Sequence, residues 1–235
     1  MIKSFCTLLL LIFLSYSNAQ STFDQDQLLG KKEATLIGDS YLLLPEAAKA
    51  FEKMKEAALQ DQINIKVVSS FRSYERQRSI WNRKYRKNKK EGLSPNENIN
   101  TIIEYSTIPG TSRHHWGTEI DIVDGSIEPE GDVLLTEKFH HGGPYEKLRR
   151  WLEENAERFG FICAYPDLEN RKGFYYEPWH YSYAPISIPL YRSYLKLDLK
   201  KALSDMDLEG SDYLDTDFLE GYRESHVKGI NPLLK

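Results

Sequence analysis

Cysteine is scarce in this sequence: 235 residues contain two, Cys6 and Cys163. Cys6 falls in an apolar N-terminal segment that we expect to be removed, which leaves Cys163 alone. A single cysteine cannot form an intramolecular disulfide, so the hydrophobic core or a bound metal has to hold the fold together. Cys163 lies in the apolar stretch GFICAY and is predicted to be a buried strand residue without chemistry.

An excess of positive charge is also missing. The 35 Asp and Glu residues outnumber the 31 Lys and Arg residues, and loss of Lys3 with the N-terminal segment changes the formal charge from −4 to −5. The overall charge therefore does not indicate a nucleic-acid partner. The one basic stretch is RKYRKNKK at 83–90, with six basic residues in eight. A solvated helix end explains it best, and contact with an anionic polymer is the alternative.

Long hydrophobic runs are absent except at residues 5–14, FCTLLLLIFL, and this run is too short to span a bilayer comfortably. Lys3 precedes it and the small residues Ser17-Asn18-Ala19 follow it, an order typical of a signal peptide. We therefore expect residues 1–19 to be cleaved and the mature protein to be exported, either periplasmic or secreted. No integral membrane segment is expected after cleavage.

The remaining chain is long enough for one domain with a sizeable core. Spacing and composition predict helices at 45–61, 74–88, about 99–106, 144–160, 197–206 and 213–225. They predict strands at 63–70, 118–124, 161–165 and 171–183. This order favours an α+β fold, a small antiparallel sheet flanked by helices. Residues 20–44 are expected to form an N-terminal arm, 45–190 the main domain and 191–235 a C-terminal helical extension.

Histidine is scarce too, with six residues, yet two of them are adjacent in TSRHHWGTEID at 111–121. A catalytic zinc needs three ligands from His, Asp or Glu and a nearby carboxylate that accepts the water's proton. His114, His115 and Asp121 are candidates, as is His180, which follows Glu177 by three residues in YYEPWHY. The HEXXH motif of helix-borne zinc proteases is absent. Taken singly, each piece is better explained as a structural residue. The weaker candidates are His140, His141 and His226.

Three ordered blocks together resemble the zinc D-alanyl-D-alanine carboxypeptidases of the VanY type. The first block is SSFRSYERQ, with Phe71, Arg72, Ser73 and Gln77; the second is S-x-H-x6-D, with Ser112, His114 and Asp121; the third is E-x-W-H, with Glu177, Trp179 and His180. The segment WLEENAERFGF is also similar to the helix and strand between the last two blocks. The match covers roughly residues 45–190 and keeps the family's order. The resemblance implies the fold shared with zinc D-Ala-D-Ala dipeptidases and the hedgehog signalling domain.

The resemblance implies a role for each of these residues. His114, Asp121 and His180 would ligate Zn²⁺ with water in the fourth position, and Glu177 would be the general base for the zinc-activated water. Arg72 would stabilise the negative charge that develops on the scissile carbonyl. The remaining residues would bind substrate or wall the cleft: Ser112, Gln77, Trp179 and Tyr176.

Three positions depart from the family pattern. Glu119 replaces the small residue usual two positions before the aspartate, and Phe71 stands where tyrosine is common. His115 has no role in the family, so we expect its side chain to point away from the metal, either exposed or behind the ligands. Glu119 either changes the shape of the pocket floor or accepts a hydrogen bond behind the ligands.

The spacing of Glu177 and His180 makes a structural prediction. In an ideal strand, residues an odd number apart point to opposite faces, so both can reach one metal only if the backbone bends or bulges between them. Pro178, which cannot donate to a ladder, fits such a break.

The sequence thus predicts an exported zinc metallopeptidase that trims peptidoglycan stem peptides by removing a terminal D-alanine, as a D,D- or L,D-carboxypeptidase. The alternatives within the class are a D,D-endopeptidase and a D-Ala-D-Ala dipeptidase. The alternative outside it is a zinc-holding module that binds the cell wall without turnover, although a pure binder has no need of Glu177. We expect a monomer.

Overall fold

The computed structural model describes residues 23–32, 34–204 and 207–235. The predicted signal peptide, residues 1–19, lies outside the described residues. The fold is α+β, as expected, and has a four-stranded antiparallel sheet with the order β1-β2-β4-β3. The strands are β1 (Ile65–Ser69), β2 (Glu119–Asp124), β3 (Phe161–Cys163) and β4 (His180–Tyr183).

Eight α-helices surround this sheet within the described part of the chain: α1 (Gln25–Leu28), α2 (Pro45–Gln60), α3 (Tyr74–Lys90), α4 (Pro95–Ile103), α5 (Glu146–Asn155), α6 (Ala184–Tyr194), α7 (Leu199–Ala202) and α8 (Thr216–Tyr222). None of the described helices is both long enough and apolar enough to cross a membrane.

Local sequence explains where the main helices begin and end. Pro45 opens α2, and Ser73 caps α3 by accepting a hydrogen bond from the backbone N–H of Arg76. A turn of 3₁₀-helix extends α5 up to Gly160, which adopts the left-handed conformation that ends helices (φ 81°). These three helices match the sequence prediction to within a few residues.

Two apolar clusters form the core. The first lies between one face of the sheet and helices α2 and α5, and includes Phe51, Ile120, Ile122, Trp151 and Tyr181. The second joins α3, α4 and the C-terminal helices. β2 is buried along its whole length: Ile120 and Ile122 point into the first cluster and alternate with Glu119 and Asp121. Because strand residues alternate between faces, Glu119 and Asp121 point together to the opposite face of the sheet.

Three predicted elements were wrong in part, and one helix was missed. Among the described residues, the helix predicted at 197–206 is helical only at Leu199–Ala202. The predicted strand at 171–183 is a strand only from His180, and the preceding residues form loops and turns. The helix expected at 99–106 begins at Pro95, because a capping box of Ser94 and Glu97 starts it earlier. α6 was not predicted, since its two prolines, Pro185 and Pro189, mask a helical pattern.

Cys163 ends β3 as a partly buried residue, and its thiol contacts the backbone carbonyl of Glu177 at 3.6 Å. In the basic segment 83–90, Arg86 pairs with Glu209 and Lys87 with Glu91, whereas Lys89 and Lys90 are exposed. These contacts fit the prediction of a solvated helix end.

Candidate metal centre and active site

A single turn of 3₁₀-helix, Arg113–Trp116, carries both adjacent histidines. Gly117 ends it with a left-handed backbone (φ 68°), where a Cβ atom would lie 2.7 Å from the Leu36 side chain. Only glycine fits this position without strain. The turn sends the two imidazoles in different directions, so that His114 faces the cleft and His115 does not.

The pairing of β2 with β4 brings distant residues together. Asp121 lies opposite His180 in this antiparallel ladder, and Glu119 lies opposite Ser182. Residues two apart on a strand share a face, so these four side chains form a block on one side of the sheet.

His114, Asp121 and His180 form a compact, buried trio. The distance from His114 Nε2 to Asp121 Oδ2 is 3.3 Å, and that from His180 Nδ1 to Asp121 Oδ1 is 3.5 Å. One ligand atom from each residue lies within 4.8 Å of the others, and no other such trio occurs among residues 23–32, 34–204 and 207–235. The buried Asp121 Oδ1 has no hydrogen-bond partner within this described part of the chain. Two imidazoles and a carboxylate with a free oxygen fit a catalytic zinc site.

In each imidazole, the ring nitrogen that does not face Asp121 forms a hydrogen bond to the protein. His114 donates from Nδ1 to the backbone carbonyl of Ser70 at 2.8 Å, which leaves Nε2 facing Asp121. His180 donates from Nε2 to Glu119 Oε2 at 3.0 Å, which leaves Nδ1 facing Asp121. Hydrogen bonds of this kind fix the tautomer of a metal-binding histidine.

Glu177 lies in the turn before β4. Its backbone carbonyl accepts a hydrogen bond from His180 N at 3.2 Å, and its own N–H donates to Tyr165 O at 3.0 Å. The turn lets Glu177 Oε2 approach His180 Nδ1 to 2.9 Å. The predicted break in the strand next to Pro178 is therefore present, as a turn that ends where β4 begins.

Carboxylates dominate the electrostatics around His180. Burial alone would lower the pKa of this imidazole, but Asp121, Glu119 and Glu177 raise it to about 10. Three carboxylates and the two guanidiniums of Arg72 and Arg113 surround the imidazole pair. The excess of negative charge suits a divalent cation.

Arg72 lies beside the trio at the end of β1. Its Nη1 donates to Gln77 Oε1 at 2.8 Å and its Nη2 to Ser69 Oγ at 2.9 Å. Gln77 is completely buried and also donates from Nε2 to the backbone carbonyl of Thr107 at 2.8 Å. In this arrangement Gln77 orients Arg72, and the predicted contact of Gln77 with substrate would have to replace one of these bonds.

A cavity of about 500 Å³ opens above the trio. It is lined by predicted site residues, Arg72, Ser112, Glu177 and Trp179, together with the trio itself. Sequence reasoning missed three aromatic lining residues, Tyr105, Tyr165 and Phe174, since no local pattern separates cavity walls from structural aromatics. The Tyr165 ring stands edge-on to His180, with centroids 5.0 Å apart. Tyr176, a predicted wall, contacts His140 instead and is not among the lining residues.

His115 is buried behind the cleft. Its Nδ1 donates to the backbone carbonyl of Arg72 at 2.5 Å, and its Nε2 accepts a hydrogen bond from Gly110 N at 3.1 Å. Burial lowers the pKa of His115 to about 3, so the ring is neutral. As expected, the second histidine of the pair turns away from the trio.

Glu119 is another of the three departures from the family pattern, and it is fully buried. Burial would raise the pKa of its carboxyl group, but Arg113, His180 and Ser182 together lower it to about 2. Glu119 therefore carries a negative charge directly behind His180. Of the two sequence interpretations, the structure agrees with the second, in which Glu119 accepts a hydrogen bond behind the trio.

Comparisons with known proteins show which chains this one is similar to. The profile of the family described as VanY, D-alanyl-D-alanine carboxypeptidase, matches residues 40–186. An uncharacterised protein of Haemophilus influenzae is 34% identical over 109 residues, which cover 46% of this chain and 83% of that one. A D-alanyl-D-alanine carboxypeptidase of Enterococcus faecalis is 33% identical over 132 residues, which cover 56% of this chain and 44% of that one. The chain thus spans less than half of the length of the E. faecalis relative.

Among solved structures, VanYB in complex with D-alanine-D-alanine is similar in fold. It has a TM-score of 0.52 and 24% sequence identity, and the alignment covers 75% of this chain and 92% of that one. The likeness confirms the predicted fold class.

Proposed function

The chain belongs to the VanY D-alanyl-D-alanine carboxypeptidase family, and on that premise we propose that it is an exported zinc metallopeptidase. Its reaction would be removal of the terminal D-alanine from peptidoglycan stem peptides. Residues 1–19 would be its signal peptide, 20–44 an arm, 45–190 the zinc peptidase domain and 191–235 a helical extension.

One observation carries the proposal. His114 Nε2, Asp121 and His180 Nδ1 converge within 4.8 Å at the floor of a cavity, and the Glu177 carboxylate stands beside them without being one of the trio. A site that only held a metal would not need a further acidic group next to the ligands. A hydrolytic site does, because the attacking water has to lose a proton.

The residues divide the chemistry among themselves. Zn²⁺, when bound by His114, Asp121 and His180, would act as a Lewis acid that makes water a stronger nucleophile near neutral pH. Glu177 would accept the proton of the attacking water and pass it to the leaving amine. Arg72, held by Gln77 and Ser69, would donate hydrogen bonds to the carbonyl oxygen as negative charge develops there.

Substrate would lie in the cavity between the trio and the aromatic walls. Ser112 and Trp179 line it and are available for contact with the peptide backbone and its terminal methyl group. The family name and a relative's complex with D-alanine-D-alanine support a D-alanine terminus as the substrate class.

The test is to incubate purified, zinc-loaded protein with a panel of muropeptides and to follow the products by mass spectrometry. We expect loss of one alanine from a pentapeptide or tetrapeptide stem. The Glu177→Gln variant should lose activity by at least about a hundredfold, since it keeps the shape but cannot accept the proton. Its zinc content should stay at that of wild type.

The same panel separates the alternatives. Cleavage of cross-linked dimers alone would indicate an endopeptidase, and release of alanine from free D-Ala-D-Ala a dipeptidase. No mass change in any stem peptide, with zinc bound, would reject the enzyme and favour a binding module.

A further inference from the structure

Glu119 is a buried acid that none of the proposed chemical steps uses. It is fully buried on β2, two residues before Asp121, and it shares the polar face of the sheet with that ligand. On β4, Ser182 lies opposite Glu119 and His180 lies opposite Asp121. The ladder therefore places the Glu119 carboxylate diagonally across from the His180 ring, within reach of its far edge.

The contact with His180 has a defined direction. The distance from His180 Nε2 to Glu119 Oε2 is 3.0 Å, and an ionised carboxylate can only accept a hydrogen bond. Nε2 must therefore carry the proton. Nδ1, on the other side of the ring, faces Asp121 at 3.5 Å and Glu177 at 2.9 Å, and its lone pair is the one that a metal ion at the trio would bind.

Glu119 is itself held rigidly. Arg113 forms a buried ion pair with it (Nη2 to Oε1, 3.2 Å), and Ser182 and Thr118 donate to the same oxygen at 2.6 and 3.0 Å. Arg113 Nη2 also donates to Ser182 Oγ at 2.7 Å. Oε2 accepts from Arg113 Nε at 3.4 Å as well as from His180, so its bond to the ring is the shorter one.

The two imidazoles differ in what lies behind them. His114 is backed by a neutral backbone carbonyl, that of Ser70, whereas His180 is backed by a full negative charge. A carboxylate behind a metal-binding imidazole orients the ring, fixes its tautomer and raises its basicity as a ligand. Such an anion costs free energy to bury unless it is paired, and Arg113 supplies the pairing.

We propose that Glu119 is a positioning residue that holds His180 with Nε2–H turned away from the metal and Nδ1 turned towards it, and that Arg113 maintains Glu119 in this place. The inference rests on the ligand set of the proposed function and adds a residue that determines how tightly this set binds zinc. It also explains the buried charge pair Arg113–Glu119 at the centre of the fold.

The test measures zinc affinity in the full chain by competition with a chelator, in the absence of any peptide. Glu119→Gln should weaken zinc binding about tenfold, because the amide still fills the space but loses the charge, and Glu119→Ala between about tenfold and a hundredfold. The control is Ser187→Ala, which removes a hydroxyl that contacts Ser182 but not His180. Its affinity should stay within about twofold of wild type.

A double variant separates positioning from folding. Arg113→Met with Glu119→Leu removes both members of the buried pair, so that no unpaired charge remains, and such replacements are often tolerated. We expect it to fold, as judged by circular dichroism, and still to bind zinc at least about tenfold more weakly. A folded double variant with the affinity of wild type overturns the proposal.

NMR of the His180 ring nitrogens gives a second measurement, which would not change if Glu119 only stabilised the fold. In zinc-loaded, ¹⁵N-labelled wild type, Nε2 of His180 should carry a slowly exchanging proton and Nδ1 should show the shift of a metal-bound nitrogen. Glu119→Gln should lose the slow exchange. The opposite assignment of the two nitrogens would contradict the proposal. A wild-type chain that binds no zinc would instead contradict the metal centre of the proposed function, and this inference with it.

Discussion

The side chains that face the cavity are oriented by hydrogen bonds to residues behind them. Asp121 and the two imidazoles face the cavity, but Ser70, Glu119 and Gln77 determine how His114, His180 and Arg72 are oriented. Arg72 is the residue among these to which the proposed function gives a role in the reaction and not in metal binding. Burial lowers the pKa of its guanidinium, whereas Asp121 and Glu177 raise it. Its role in the proposed reaction is tested by measuring turnover and zinc affinity separately.

Replacing Arg72 with methionine should reduce kcat by about a hundredfold, because one donor to the developing negative charge is lost. Zinc affinity should stay the same or rise slightly, since the removed charge repels a cation. Steady-state kinetics on a cleaved stem peptide and chelator competition measure the two effects.

The matched control is Arg76→Met, which removes the same charge from an exposed position one helical turn along. It should leave kcat within about twofold of wild type. Loss of zinc from the Arg72 variant would contradict a role confined to the reaction.

At the level of elements, the site depends on where helices and strands begin and end. α3 begins two residues after Arg72, and its first turn contains the buried Gln77 that holds the guanidinium. The turn at Glu177–His180 ends where β4 starts, which brings the Glu177 carboxylate and the His180 ring to one side of the sheet. Both junctions are determined by local chemistry: a serine cap in the first case and a proline-containing turn in the second.

Ser73→Ala should lower the free energy of unfolding by about 1 kcal/mol, because the N–H of Arg76 loses its acceptor at the start of α3. Urea denaturation followed by circular dichroism measures the change. Ser79→Ala is the control, since it replaces an exposed serine in the middle of the same helix, where alanine is the better helix former. It should be neutral or slightly stabilising. Equal destabilisation by both changes would contradict the capping role.

On the scale of the whole molecule, the C-terminal helices are part of the fold and not an appendage. Leu203, Leu219, Tyr222 and Leu234 are buried in the second apolar cluster with residues of α3 and α4. Glu209 accepts a hydrogen bond from Trp81 Nε1 through its backbone carbonyl at 3.0 Å and pairs with Arg86 through its side chain. The extension therefore covers the side of the domain from which Tyr165 and Phe174 reach the cavity.

Because of His226, the packing of the C-terminal extension against Phe174 is expected to depend on pH. Its ring stacks on Tyr222, with centroids 4.7 Å apart, and meets the edge of Phe174 at 4.9 Å. Burial lowers its pKa from 6.5 to about 4. Between these pH values the His226 side chain binds a proton in the unfolded chain but not in the folded chain. The contribution of neutral His226 to the free energy of unfolding is therefore fully present above pH 6.5 and is lost as the pH falls towards 4.

The free energy of unfolding of wild type should fall on acidification by on the order of 1 kcal/mol more than that of His226→Phe, a value reduced because the His226 ring is partly exposed to solvent. The measurement is urea denaturation of both chains from pH 7.5 to 4.5 in the presence of EDTA, which removes any contribution from metal release. The two curves should run parallel above pH 6.5 and diverge below it. Parallel curves over the whole range would contradict this assignment.

Features that depend on neighbours in the sequence could be predicted, and features that depend on contacts between distant segments could not. Ser73, Gly160 and the apolar faces of α2 and α5 follow from neighbours within one or two turns, and the structure places these helices as expected. α6 and the loop at 171–179 did not follow, because prolines and aromatics occur in helices, strands and turns alike. In the site, the ordered motifs identified the trio and Glu177, whereas Tyr165 and Phe174 have no local signal that separates a cavity wall from a core residue.

The sequence by itself determined the residue types and their order: two imidazoles, an aspartate and a free glutamate in blocks that a zinc peptidase needs. Only the tertiary structure decided which atoms meet. The ladder between β2 and β4 puts Asp121 beside His180 and Glu119 behind it, and the turn at Pro178 brings Glu177 to the same side. The physical reason is that pattern and capping act between neighbours in the chain, whereas ligand geometry and tautomer depend on contacts between segments some sixty residues apart.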